Sequence, residues 1–98
     1  MNARPSVLFA ANRAGVRRIV LAHRAFNPRV FGSVARGEDT EDSDLDLLVD
    51  TLHTTSLFDL AAMELELEAL LGCPVHVTTD GGLRGALRER VLADADPV

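Results

Sequence analysis

Asp44 and Asp46 stand one residue apart in Ser43-Asp44-Leu45-Asp46-Leu47. An extended chain sends alternate side chains to opposite faces, so both carboxylates share one face, about 6.6 Å apart along the backbone. Leu45, Leu47 and Val49 then point to a core. Two carboxylates this close repel unless a cation neutralises them or one takes up a proton. Their hard oxygens favour Mg2+ or Mn2+, and Mg2+ commonly enters a site with nucleotide phosphates. Ten residues separate Gly32-Ser33 from the pair. A glycine lets the backbone approach a phosphate closely, and N–H groups with the Ser33 hydroxyl can hold its oxygens. A metal beside a positioned phosphate suits phosphoryl or nucleotidyl transfer. Arg36 either contacts that phosphate or a partner, or is a surface residue that can pair with the acidic loop following it.

These residues need elements to hold them. A helical stretch is predicted over about residues 5–25, broken or offset near Gly15, with Asn12 as a candidate N-cap of its second part. Asn27-Pro28 stops it, because the residue before proline disfavours the helical region. Arg29 to Ser33 reads as a strand entering a glycine turn, Ala35 to Ser43 as a polar loop, and Asp44 to Asp50 as a second strand. Leu57 to Leu71 is built of strong helix formers, with Leu57, Leu60, Met63, Leu67, Leu70 and Leu71 assigned to one apolar face. Gly72 and Pro74 end that helix. Val75 to Thr79 is a third strand, Asp80-Gly-Gly a turn, and Leu83 to Ala93 a last helix with Leu83, Leu87 and Val91 along one stripe. The order α-β-β-α-β-α predicts an α/β (α+β) fold, a small mixed sheet packed with helices.

Bulk composition narrows the function classes. With 98 residues, 47% of them hydrophobic, the expectation is one domain over 1–98 with one modest core. The chain has no Lys, Tyr or Trp, which removes a lysine nucleophile, a P-loop lysine and a tryptophan stacking platform. The net charge of −5 hides a division: seven Arg and no acid up to Gly37, then fifteen acids against three Arg. That acidity speaks against direct nucleic-acid binding by the whole surface. A single cysteine, Cys73, suits a reducing cytoplasm and reads as a buried structural thiol. No apolar run approaches the roughly 18 residues of a membrane span. Of the other charged groups, Asp50 reads as a strand-end carboxylate, His23 as a helix-surface residue, and Glu64, Glu66 and Glu68 as a solvated flank. Glu38, Asp39, Glu41 and Asp42 fall in a loop read as mobile.

Gly-Ser, ten residues, then Asp-x-Asp resembles the signature of the DNA polymerase β-like nucleotidyltransferases. The fuller string Gly32-Ser-x-Ala-Arg-Gly-x5-Ser-Asp44-x-Asp46-Leu-x-Val is similar to the minimal, MntA-like nucleotidyltransferases of bacteria and archaea. The resemblance runs from about Arg13 to Val98 and includes Ser-Leu-Phe-Asp-Leu, Leu-Leu-Gly before the third strand, and Leu-Arg-Glu-Arg-Val-Leu near the end. It implies the nucleotidyltransferase fold and an antitoxin that uses Mg2+ and ATP to transfer AMP to a tyrosine of a partner HEPN-domain ribonuclease toxin. It also implies that Gly32 and Ser33 hold the triphosphate and that Asp44 and Asp46 are the metal ligands. The family usually places a third carboxylate in the next strand, where this chain has His76. A histidine can act as a general base near neutral pH but is a poorer Mg2+ ligand than aspartate. Two readings follow: a protein adenylyltransferase with His76 in the catalytic set, or a fold that neutralises its toxin by binding alone.

Overall fold

Leu45, Leu47 and Val49 are fully buried, as their alternation with Asp44 and Asp46 demands. They lie on strand β2 (Leu45–Thr51), in a computed structural model that describes residues 3–98. In chain order the remaining elements are α1 (Pro5–Ala10), α2 (Arg13–Ala22), β1 (Ala25–Phe31), α3 (Gly32–Arg36), α4 (Leu57–Leu71), β3 (Val75–Thr79), a 3-10 turn at Asp80–Gly82, α5 (Gly85–Asp94) and β4 (Asp96–Pro97). The sheet order is β3-β2-β1-β4, with β2 and β3 parallel and the other pairs antiparallel. The mixed sheet and its helical cover agree with the α/β expectation. No helix among the described residues is long and apolar enough to cross a membrane.

The two faces of the sheet bury different things. On one, Leu45, Leu47, Val49 and Val75 join Val16 and Val20 of α2 with Met63, Leu67 and Leu71 of α4 in the main core. On the other, Leu48 forms a smaller cluster with Leu83 and Val91, against which Phe31 packs. Helix α4 begins at a capping box: Ser56 Oγ accepts from the Asp59 N–H, and the Asp59 carboxylate accepts from the Ser56 N–H at 2.8 Å. It stops at Gly72, whose φ of 77° is left-handed.

Several local expectations are corrected. The first helical stretch breaks at Ala11-Asn12, not at Gly15; Asn12 occupies the N-cap position without a side-chain cap and instead donates back to the Leu8 carbonyl at 2.8 Å. Gly15 is buried inside α2, where a Cβ would meet Leu70 of α4 at 2.8 Å, so the glycine permits close helix packing. Strand β1 starts four residues early, at Ala25, because Asn27 adopts φ 52° and bulges the ladder between Phe26 and Arg29. Ala35 is not in a loop but in α3. Leu57 and Leu70 are exposed in place of joining the core face of α4, and Leu87 is exposed on α5. Cys73 is half-buried beside the core, and burial pushes its thiol up from the ordinary range.

The segment read as mobile carries an anchor. Asp39 is buried, and one of its carboxylate oxygens accepts the Ser6 N–H at 2.8 Å, at the start of α1. Burial would raise its pKa, but hydrogen bonding from Ser6 and the charge of Arg4 outweigh that and leave it below the usual carboxylate range. A carboxylate depressed in the fold contributes stability above its unfolded-state pKa of about 3.9, and that contribution is lost as the pH falls through the folded value. Asp39→Ala is therefore expected to cost about 1–3 kcal/mol at pH 7 in urea unfolding. The difference from the parent should close in acid.

Candidate active site

Strand register assembles the site. Phe31 of β1 pairs with Asp46 of β2, and Asp46 pairs with His76 of β3, so one row crosses the sheet. Gly32 follows Phe31 directly, and its φ of 74° turns the chain from β1 into α3 at this point. A Cβ on Gly32 would lie 2.5 Å from Asp46 Oδ2, so only glycine leaves room for that carboxylate. Gly32 and Asp46, fourteen positions apart in sequence, are in contact in space.

Asp44 lies immediately before β2, where the Leu45 N–H donates to the Pro74 carbonyl at 2.9 Å and carries the parallel pairing to the strand end. Its Oδ2 is 2.9 Å from His76 Nε2. His76 thus touches one of the two carboxylates and stands level with the other. Asp46 is half-buried, and burial is the main cause that lifts its pKa; Asp44 adds to the rise, while His76 and Arg36 oppose it. The Asp44 and His76 side chains remain 42% and 61% exposed, so the group opens to solvent. Among the described residues no third acid, histidine or cysteine joins the two aspartates in a ready metal cage.

The other sequence candidates separate into two kinds. Ser33 lies in the first turn of α3, next to Gly32, with its carbonyl accepting the Glu38 N–H at 2.9 Å. Arg36 is close enough to bias Asp46 electrostatically, yet its guanidinium is bound to Glu38 at 3.0 Å and to Asp94 of α5 at 2.6 Å. To meet a phosphate it must release those acids. Asp50, at the far end of β2, is held by Arg29 at 2.7 Å and by Asn27 at 2.9 Å, as expected of a strand-end carboxylate. Asp80 is held by Arg88. Sequence reasoning missed Glu64, whose Oε1 accepts the outward-facing Val77 N–H of edge strand β3 at 2.8 Å, and Glu66, which pairs with His23 at 2.7 Å. Neither is a merely solvated flank. Nothing in the local sequence marks them, since each partner lies on another element.

Two substitutions probe this geometry. Gly32→Ala places a side chain on a left-handed residue, at about 1–2 kcal/mol, and forces the Asp46 carboxylate aside. In an Asp46→Ala background the clash is absent, so the unfolding penalty of Gly32→Ala should shrink to the backbone cost alone. Asp46 has a raised pKa, so its charge destabilises the metal-free fold above that value, and the cost vanishes as the pH falls through the ordinary Asp range. Asp46→Asn should accordingly raise the melting temperature of the metal-free protein at pH 7, with no gain near pH 3.

Comparison with known proteins agrees with this architecture. Residues 26–95 match the family model of the nucleotidyltransferase domain. A candidate protein adenylyltransferase of Methanocaldococcus jannaschii is 40% identical over 77 residues, covering 79% of this chain and 83% of the relative. The protein adenylyltransferase MntA of Thermococcus cleftensis is 43% identical over 65 residues, covering 66% of each chain. Among solved structures, a candidate minimal nucleotidyltransferase superposes with a TM-score of 0.85 at 45% identity, covering 100% of this chain and 97% of its own. A chain from a toxin–antitoxin crystal structure with AMP-PNP shares the fold at a TM-score of 0.76 and 17% identity, covering 88% of this chain and 71% of its own. The protein belongs to the nucleotidyltransferase domain family, among its minimal members.

Proposed function

We propose that the chain is a nucleotidyltransferase-type antitoxin that binds Mg–ATP and transfers AMP to a hydroxyl, a tyrosine by resemblance, of a HEPN ribonuclease toxin. The observation that carries the reading is the contact of Gly32 with the Asp46 carboxylate, with Asp44 and His76 gathered beside it. Family membership and the adenylyltransferase relatives support the same chemistry. The toxin–antitoxin neighbour crystallised with AMP-PNP, which shares the fold, is in keeping with a toxin partner.

The donor set fits a divalent cation that arrives with its nucleotide. Asp44 and Asp46 would offer such an ion hard oxygens, and among the described residues no third acid, histidine or cysteine completes a cage around them. Held there, the ion would supply charge neutralisation to the phosphates. Gly32 and Ser33 hold the triphosphate against that pair through backbone N–H groups and the Ser33 hydroxyl. Arg36, freed from Glu38 and Asp94, adds a positive charge near Asp46. The acceptor oxygen bonds to the α-phosphorus as the bond to pyrophosphate breaks. Its proton passes to His76, which Asp44 holds in position and which solvent and a docked acceptor both reach. The open surface means that a partner supplies the acceptor and most of the walls. The proposal extends to a cytoplasmic setting, consistent with one half-buried cysteine.

One observation favours a second reading, neutralisation by binding alone: Asp44 is engaged by His76, and Arg36 by two acids. Incubation of the purified chain with the protein of the adjacent reading frame, Mg2+ and α-labelled ATP separates them. Transfer predicts label on the partner, reduced to background by Asp44→Asn or Asp46→Asn; label that rises with His76→Asp would mark the native site as compromised. A stable complex that never takes up label would select the binding-only reading.

A further inference from the structure

Helix α4 presents a second face that the nucleotide site does not use. Met63, Leu67 and Leu71 point to the main core. On the opposite side, Phe58, Ala61, Leu65 and Ala69 repeat at three- and four-residue spacing, with Leu57 one turn before Ala61, and all of them are exposed. The exposure is large: 83% for Leu57, 88% for Phe58 and 68% for Leu65. Phe58 is one of only four aromatic residues in the chain. Such a concentration of solvent-facing apolar side chains on one helix marks an interaction surface.

Charge indicates what covers it. Between Leu57 and Leu71 there are four acids, Asp59, Glu64, Glu66 and Glu68, and no base; Glu66 pairs with His23 and Arg24 acts on Asp59, whereas Glu64, bound only to a backbone N–H, and Glu68 keep their negative charge. Glu68 lies at the C-terminal end of the stripe, three residues beyond Leu65. A second copy laid α4 against α4 would bring acids against acids, at an electrostatic cost. A partner helix with an apolar stripe flanked by Lys or Arg would meet both the leucines and the acids.

We propose that the outer face of α4 is a docking surface for an amphipathic, basic-flanked helix of a partner protein. Alternation along β2 places this face across the sheet from Asp44, Asp46 and His76: Leu45, Leu47 and Val49 pack toward α4, while Asp46 shares the side of Leu48. A partner held there leaves the carboxylates open. The inference stands independently of the nucleotide reading, because neither surface uses a residue of the other.

The probe is a fluorescent 18-residue helical peptide with leucines at three- and four-residue spacing and lysine flanks, compared with the same peptide carrying glutamate flanks. The expected result is binding of the lysine form only, weakened about tenfold or more by Phe58→Ser with Leu65→Ser and reduced at 0.5 M salt. In the 15N-labelled protein the peptide should shift the amides of Leu57, Phe58, Ala61, Leu65 and Ala69. Both substituted positions are exposed, and an unchanged circular dichroism spectrum and melting temperature check that the variant folds. Equal binding of the glutamate form, shifts centred on Asp44, Asp46 and His76, or no binding of either peptide would overturn the proposal. So would concentration-dependent dimerisation abolished by the same double substitution, which would give the face to a second copy.

Discussion

The row Phe31–Asp46–His76 across three strands is the constraint on which the site depends. A slip of one residue in β2 would turn Asp46 into the main core and Leu45 or Leu47 out of it. Three fully buried apolar residues at alternate positions, Leu45, Leu47 and Val49, make that slip prohibitive. The hydrophobic effect thereby sets the direction of a polar group. The same register brings Gly32 against Asp46 and leaves His76 level with it, so core packing and site geometry are two consequences of one alignment.

Charge is divided between holding the fold and making the site. Arg29 with Asp50, Arg88 with Asp80 and Asp39 with the Ser6 N–H each tie one element to another. Among the described residues no arginine bonds to the two aspartates near Gly32; their neighbour is a histidine, and burial raises the pKa of half-buried Asp46. Perturbed carboxylates of this kind are enriched at functional sites. Arg36 stands between the two roles, paired with acids yet close enough to influence Asp46.

The two sides of the sheet differ in what they carry. One bears the carboxylates beside a small cluster around Leu48; the other carries α2 and α4 over the main core. Helix α4 is apolar on both its inner and outer faces, with acids between. For this reason a simple one-face reading placed Leu57 and Leu70 in the core. Burial follows which neighbour stands opposite, and α4 has a sheet on one side only.

Much of the plan was legible because it rests on local physics. The bounds of α4 follow from strong helix formers between Ser56 and Gly72, and those of β3 from a short Val-rich run after Pro74. The Gly-Ser and Asp-x-Asp pattern, with the alternation around it, was enough to place two carboxylates on one face and to indicate a nucleotide-directed fold. What the sequence could not express was pairing between distant segments. The left-handed Asn27 that lengthens β1, the five-residue α3 and the two-residue β4 have too little intrinsic preference to exist apart from their neighbours. The same holds for Asp39 at the start of α1, Glu64 on the Val77 N–H and Arg36 on Asp94, where each partner is remote in sequence. The sequence by itself determined which residues could do chemistry and the local geometry that aims them. Tertiary structure alone decided which charges are free for it, because a charged side chain spends its hydrogen bonds on whatever partner folding brings within reach.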